Sequence, residues 1–319
     1  MTRLVITSCI LFASAAFSFA QTDTGLDKSN DTIIADTSST DTILQTTNDT
    51  VAIVTAAPVK RKSAPSDEVY KLNLAVDIPV TAVAAGWSLY AFPKIYDKKG
   101  ITPDELANLR KENINGFDRW AADVYHENAA KQSDIFFYAA MPLPLVLLID
   151  KEIRKDALKV GFMYLEAMSI TGVFYTGSAY VWDRFRPLTY IPQEEVRPGS
   201  QLEGDSKSGN ARNSFLGGHP ALVATSSFFV ASVYADYHPE SKFKYVLYGV
   251  AAVATGGTAY LRHRGGKHFP SDLIVGTAVG TLSGLLVPRL HKNKAYVNSK
   301  VRVAPFTGQS HGLYVSYKL

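Results

Sequence analysis

The segment YLRHRGGKHFPSDLIVG, residues 260 to 276, concentrates charged side chains between two apolar runs. His268 and Asp272 are four residues apart in this segment. That spacing predicts that the carboxylate accepts the ring N–H of His268 and fixes its tautomer. A histidine oriented in this way is suited to nucleophilic or acid–base chemistry.

Two further segments carry complementary groups. YVWDRFRP contains Arg184 and Arg186, whose guanidinium groups match phosphate oxygens bidentately. NSFLGGHP places Gly217 and Gly218 directly before His219, where backbone N–H groups and a helix N-terminus favour an anion. With one histidine as nucleophile and the other as general acid, the three segments predict a phosphoryl-transfer site that needs neither a metal nor a cofactor.

Each segment also has a simpler interpretation. Arg184 and Arg186 could mark a cytoplasmic boundary under the positive-inside rule. The Gly-Gly-His sequence could be an ordinary loop before a helix. Ser271 or Asp272 could cap the helix that follows Pro270, in addition to any catalytic role.

A zinc site is a further alternative. It would use His219, His268 and Asp272, although several nearby arginines are unusual around a metal. Three other charged residues of the segment 260–276 are predicted to be solvated loop residues: His263, Arg264 and Lys267.

The elements that must position these groups are helices. Six apolar segments rich in alanine, glycine and leucine follow one another: 72–92, 134–149, 157–181, 219–236, 244–261 and 272–289. In an up-and-down, all-α bundle an even number of helices separates the loops 182–218 and 262–271, so both lie at the same end. Between the first two segments, Thr102-Pro103 starts a predicted pair of amphipathic helices, 103–113 and 115–130.

These segments lie between buried core helices and membrane helices in length and polarity. Asp77 and Pro79 in the first segment favour an arrangement in which that segment does not span and both loops face the periplasm. Six spans would instead put the loops in the cytoplasm, and a soluble bundle is a third possibility.

The ends of the chain have a different character. Residues 1–20 predict a signal peptide cut after Ala20, so the protein is expected to be exported to a bacterial cell envelope. Its one cysteine, Cys9, lies in that segment, which excludes cysteine chemistry in the mature chain. Residues 21–66, rich in Thr, Asp and Ser, predict a disordered linker, and the alternation in 293–319 predicts a β-hairpin. A net charge of +4 is too small to indicate nucleic-acid binding.

The three segments resemble the motifs of the type 2 phosphatidic acid phosphatase (PAP2) superfamily, over about residues 70 to 290. Those motifs are Lys-x6-Arg-Pro, Pro-Ser-Gly-His and Ser-Arg-x5-His-x3-Asp. The matching residues here are Arg186 and Pro187, then Gly218 and His219, then Arg262, His268 and Asp272. The resemblance implies a membrane-associated helical domain over 67–292.

Roles follow from the resemblance position by position. It implies that His268 forms a phosphohistidine, that Asp272 orients it and that His219 protonates the leaving oxygen. The implied phosphate-binding groups are Arg186, Arg262 and the backbone of Gly218. The implied substrate is a phosphorylated lipid or a small phosphate ester: an isoprenoid pyrophosphate, phosphatidylglycerol phosphate and phosphorylated lipid A are candidates. Together with the segment count above, the resemblance predicts an inner-membrane location with the site facing the periplasm.

Several positions depart from the motifs. Ala179 replaces the lysine, Gly217 replaces the serine before Gly-His, and Leu261 replaces the serine before Arg262. We expect the Gly217 N–H still to serve the anion and Arg184 to substitute for the missing lysine. The alternatives are an impaired protein that binds a phosphorylated lipid without hydrolysing it and, less consistent with the absent lysine, a haloperoxidase.

Overall fold

The computed structural model describes residues 68–293, 301–307 and 311–317. The predicted signal peptide and linker lie outside these ranges. Within them the chain forms the following α-helices and strands: α1 Leu74–Tyr96, α2 Pro103–Asn108, α3 Glu127–Ala140, α4 Lys151–Lys155, α5 Ala157–Val181, α6 Gln201–Lys207, α7 Gly218–Tyr237, α8 Phe243–Arg264, α9 Pro270–His291, β1 Val301–Thr307 and β2 His311–Tyr317.

The long helices form an up-and-down bundle around α7, most of whose residues are buried. Helix α7 packs against α8, α9, α5 and α3, and α1 packs against α5. Glycines at 276, 280 and 284 form one row on α9, and a side chain on any of them would collide with the backbone of the facing segment. The missing side chains therefore let α7 and α9 approach closely, which fixes the relative positions of the loops at their ends.

The loops 182–218 and 262–271 lie at the same end of the bundle, as predicted. The N–H of Gly217 donates to the carbonyl of Asp272 at 3.0 Å, and the N–H of Leu188 donates to Gly266 at 3.1 Å. We call this the site end, and the end where α1 begins and α9 finishes the distal end.

The prediction for residues 103–130 was partly wrong. Thr102 and Glu105 form the expected capping box, but the helix ends at Asn108 instead of residue 113. Lys111–Asn113 and Arg119–Ala121 form short 3-10 turns, and the next helix begins only at Glu127. The segment bends because Asn115 and Asp118 make a local hydrogen-bonded turn, in which the side chain of Asn115 accepts from the N–H of Asp118 at 3.0 Å.

Four segments have the length and apolar composition of membrane spans: Leu74–Tyr96, Glu127–Ile149, Ala157–Val181 and Pro270–His291. The preference for excluding the first segment is therefore not supported, because Asp77 lies buried in the first turn of a long apolar helix. Large apolar side chains on the outer faces are exposed, among them Val83 on α1 and Val253 on α8. Such a surface is favourable in lipid and unfavourable in water.

The two strands follow the bundle. β1 and β2 pair in antiparallel register, with Val303 opposite Val315.

Because consecutive long helices alternate in direction, residues near 110, 200 and 240 test the topology. Glu105 pairs with Arg212 at 2.7 Å at the site end, whereas His238 lies 2.8 Å from Asp150 at the distal end. Reporters of membrane side fused at 110 and 200 should therefore give the same result, and a fusion at 240 the opposite one. Opposite results at 110 and 200 would contradict this arrangement.

Candidate active site

His268 is buried between the two loops with its ring fixed by a backbone carbonyl. Nδ1 lies 2.5 Å from the carbonyl oxygen of Ser214, and because a carbonyl only accepts, Nδ1 carries the proton. Burial lowers the pKa of His268 well below its usual value, and Arg186 and Arg262 lower it further. The ring is therefore neutral near pH 7, and its Nε2 lone pair is available as a nucleophile.

Asp272 does not bind His268, contrary to the sequence-based prediction. Its carboxylate accepts from the Ser214 hydroxyl at 2.6 Å and from the N–H of Phe269 at 2.9 Å, at the N-terminus of α9. The carboxylate thus holds the residue whose carbonyl orients His268. Asp272 also caps its own helix, as the simpler interpretation had proposed.

Arg184 does not take the place of the missing lysine as predicted. Its guanidinium bridges two buried carboxylates, pairing with Asp272 and, at 2.7 Å, with Asp118. Burial alone would raise the pKa of Asp118, but hydrogen bonds from Ser271, Asn115 and Arg184 lower it below its usual value. Arg184 therefore links separate segments through ion pairs with Asp118 and Asp272. Its guanidinium binds these carboxylates instead of a substrate anion.

Arg186 and Arg262 are both buried and come from different loops. Arg186 donates to the side-chain oxygen of Asn210 at 3.1 Å and to the carbonyl of Asn213 at 3.4 Å, which are neutral acceptors. Arg262 lies 3.3 Å from Asp134. The Nε atom of each guanidinium is buried and has no acceptor among the residues that the structure describes. An unsatisfied buried donor is costly, so these two Nε–H groups are suited to bind an anion.

His219 begins α7 and lies against the same cluster. Its Nε2 is 3.1 Å from Asp134, which also contacts Arg262. Asp134 therefore couples the second histidine to one of the arginines. The ring of His219 also stacks obliquely on Phe137, with centroids 4.6 Å apart, which restricts its orientation.

Lys267 is not a solvated loop residue, contrary to the prediction. Its side chain is only 8% exposed and pairs with Asp205 at 2.6 Å. Burial lowers the pKa of Lys267 to about 8, and the neighbouring charge of Arg186 contributes in the same direction. This effect means that Lys267 belongs to the same cluster of positive charges as the two arginines. His263, grouped with Lys267 as a solvated residue, is half-buried and makes an edge-on contact with Trp120, with ring centroids 5.2 Å apart.

The two glycines before His219 have different functions. The N–H of Gly217 donates to the carbonyl of Asp272, so it is not free for an anion as predicted. Gly218 lies against the ring of Tyr175, and a side chain there would come within 2.6 Å of it. Gly218 is required for this close packing at the start of α7.

Ala179 is fully buried in an apolar cluster with Tyr175 and Leu216. The position that carries lysine in the motif is therefore filled by core packing in this chain. A lysine at 179 would have to bury its charge in that cluster, at a cost of several kcal/mol if unpaired.

The alternative zinc ligands do not come together. Within the described ranges, His219, His268 and Asp272 do not group as ligands of one ion. Sequence reasoning missed four residues that organise the site: Asp118, Asp134, Asp205 and Ser214. Only Ser214, inside a segment already selected, carried a signal. Asp118 and Asp134 reach the site from distant segments of ordinary composition, and Asp205 lies in the polar middle of the loop 182–218.

Comparisons with known proteins agree with the motifs. The family model described as PAP2 superfamily matches residues 158–296. No curated protein matches the chain. Among solved structures, the chain is similar to the crystal structure of the first transmembrane PAP2 type phosphatidylglycerolphosphate phosphatase from Bacillus subtilis, at 17% identity and a TM-score of 0.38. That alignment covers 66% of this chain and 94% of the other.

The Arg184 bridge predicts a stability effect. Arg184→Ala leaves Asp118 and Asp272 buried without their cation, and because Arg184 is a quarter exposed we expect a loss of about 2–3 kcal/mol, below the range for fully buried pairs. Chemical denaturation in detergent measures the loss.

The matched control is Lys111→Ala, which removes an exposed pair with Asp123 and should cost less than about 1 kcal/mol. If Arg184→Ala instead left stability unchanged and only raised KM for a phosphate ester, Arg184 would be a substrate ligand.

Proposed function

We propose that the protein is a PAP2-type phosphatase that hydrolyses a phosphomonoester or pyrophosphate through a phosphohistidine. The favoured substrate is a phosphorylated lipid. One observation carries the proposal: Arg186 and Arg262 present buried, unpaired Nε–H groups in the cluster that contains the neutral His268. A phosphate would satisfy both donors and bring its phosphorus to a nucleophile. The match to the PAP2 superfamily model over residues 158–296 supports the same reaction.

The proposed mechanism uses the two histidines in turn. Nε2 of His268 attacks phosphorus while the bond to the leaving oxygen breaks and His219 transfers a proton to that oxygen. Water then attacks the phosphohistidine, neutral His219 accepts a proton from it, and the N–P bond breaks to release phosphate. Arg186 and Arg262 stabilise the charge that develops on the phosphoryl oxygens. No metal or cofactor is needed in these steps.

Ser214 and Asp134 position the two histidines. The Ser214 carbonyl keeps the proton of His268 on Nδ1. Burial and the charge of Arg262 lower the pKa of His219 to about 4 in the free protein. Asp134 opposes this shift and favours the protonated form, which is the form required for the first step. Asp272 acts on His268 through Ser214.

Lys267 is proposed to supply the third positive charge that the motif lysine would provide. It is buried, and Arg186 and Arg262 both influence its pKa. Asp205 holds its amine at 2.6 Å while no anion is bound. A substrate phosphate would compete with that carboxylate for the amine.

A lipid substrate fits the surroundings of the site. Four apolar segments have the dimensions of membrane spans, and the site lies at the end of the bundle, where a headgroup would meet the protein. We propose a location in the bacterial cell envelope, in the inner membrane with the site on the periplasmic side. If α1 spans, that orientation requires the start of α1 to lie on the cytoplasmic side, so export and cleavage of the N-terminal segment are not part of this proposal.

The first test is phosphate release from purified lipid phosphates and from p-nitrophenyl phosphate in the presence of a chelator. His268→Ala should abolish release from both substrates because the nucleophile is lost. His219→Ala should abolish release from the lipid but retain part of the activity on p-nitrophenyl phosphate, whose leaving group needs little protonation.

The matched control is His238→Ala, which removes a histidine paired with a carboxylate at the distal end and should leave turnover unchanged. Turnover by His268→Ala above a tenth of wild type would exclude covalent catalysis at this residue. Lipid binding without turnover by the wild-type protein would support the binding-only alternative.

The pKa of Lys267 predicts that kcat/KM depends on pH. Its pKa of about 8 in the free protein means that it is charged below pH 8 and loses its charge above it, so kcat/KM should fall as pH rises through about 8. Lys267→Arg should move that decline to higher pH, and Lys267→Met should remove it while lowering kcat/KM at pH 7. Measuring kcat/KM from pH 6 to 10 decides the point, and an unchanged decline in Lys267→Met would exclude this role.

A further inference from the structure

A second cluster of ionisable side chains lies at the distal end of the bundle, away from the proposed active site. It consists of Asp77 on α1, Glu166 on α5 and His291 on α9, all buried. Nineteen residues of α9 separate Asp272 from His291, about 28 Å at the rise of an α-helix. The cluster is therefore independent of the phosphate chemistry. Ionisable groups within apolar helices are costly unless they are paired or serve a function.

The tautomer of His291 leaves a lone pair facing two carboxylates. Nδ1 lies 2.8 Å from the carbonyl of Val287, so Nδ1 carries the proton and donates it. Nε2 lies 3.2 Å from Oδ2 of Asp77 and 3.3 Å from Oε2 of Glu166. In the neutral ring Nε2 has no proton to share, so three electron-rich atoms face one another. That arrangement requires a positive charge between them.

The carboxylate of Glu166 also requires a positive charge nearby. The residue is only 7% exposed, and its Oε2 atom, directed at the cluster, has no hydrogen-bond donor among the residues described. Oδ2 of Asp77 accepts one backbone N–H, from Asn73 at 2.6 Å. In the described part of the chain neither carboxylate forms an ion pair with a lysine or arginine. Two carboxylates and a neutral imidazole leave a charge of −2, which a divalent cation would balance.

The distances fit one tetrahedral ion. Zinc binds histidine nitrogen and carboxylate oxygen at about 2.0–2.2 Å, which separates neighbouring ligand atoms of a tetrahedron by about 3.3–3.6 Å. The separations of 3.2 and 3.3 Å are close to that value. The hydrogen bond from Nδ1 of His291 to a backbone carbonyl is also the usual outer contact of a metal-binding histidine.

The cluster has a route for an ion to enter. A surface pocket of about 500 Å³ opens beside His291 and is lined by the chain on either side of it and by residues 71–73. Lys292 at its rim is paired with Asp236 at 2.6 Å, which reduces its repulsion of a cation.

We propose that Asp77, Glu166 and His291 bind one divalent transition-metal ion of the Zn²⁺ class, which ties the distal parts of α1, α5 and α9 together. The ion would be structural, because it lies far from the phosphate site and connects three helices that are distant in sequence. The remaining coordination position would be filled by water from the pocket.

The test uses the full-length protein in detergent, stripped with a chelator and dialysed against Zn²⁺. Metal analysis should find one more equivalent of zinc in the wild-type protein than in His291→Gln or Glu166→Gln, and zinc should raise the Tm of the wild type alone among these three. Co²⁺ in place of zinc should give the visible absorption of a tetrahedral site in the wild type and not in His291→Gln.

His238→Gln is the matched control, since His238 faces the single carboxylate of Asp150 at 2.8 Å and should keep the wild-type zinc content. Equal zinc content in the wild type and His291→Gln, or a wild-type Tm that does not respond to zinc, would overturn the proposal and identify the cluster as a protonated histidine between carboxylates. If Glu166→Gln does not fold, Asp77→Asn replaces it. Phosphate release in chelator, measured below the unfolding temperature, is expected to persist, so this proposal and the phosphatase can fail separately.

Discussion

The carboxylate of Asp272 is the contact on which the site end depends. It accepts from Ser214 and from the start of its own helix, and it pairs with Arg184. One buried charge thereby joins the loop after α5, the loop before α7 and the N-terminus of α9. Because the favourable field of a helix N-terminus and the partly buried Arg184 both stabilise this anion, the three motif segments are held in one geometry.

The two ends of the bundle bury clusters of ionisable side chains of opposite charge. At the site end, Arg186, Arg262 and Lys267 are buried close together, and their mutual repulsion favours an anionic ligand. At the distal end, Asp77 and Glu166 are buried with one histidine and favour a cation. Low-dielectric surroundings strengthen both effects, since these buried charges are poorly screened by water. The apolar helices between them keep the two sites separate.

Motif spacing identified the residues of the site better than it identified their partners. His268, His219, Arg186 and Arg262 come together as expected, because helix direction in an up-and-down bundle is fixed by parity. The partners of Asp272, Arg184 and Lys267 were predicted incorrectly. Distance along the chain gives no information about Asp118, Asp205 or Ser214, whose side chains compete for these charges. Helix ends between 103 and 130 were also missed, because local hydrogen bonds of Asn115 and Asp118 outweighed helix propensity there.

The sequence by itself determined the helical class, the end of the bundle where the three motif segments meet and the two histidines that lie there. Apolar periodicity and motif spacing act over one helix or one loop, so they can be read without the fold. Only the tertiary structure decided that Lys267 is buried among the arginines, that Ala179 is part of the core and that Asp77, Glu166 and His291 meet. The last of these contacts joins residues more than two hundred positions apart. The energies of all of them depend on burial, which exists only after the helices have packed.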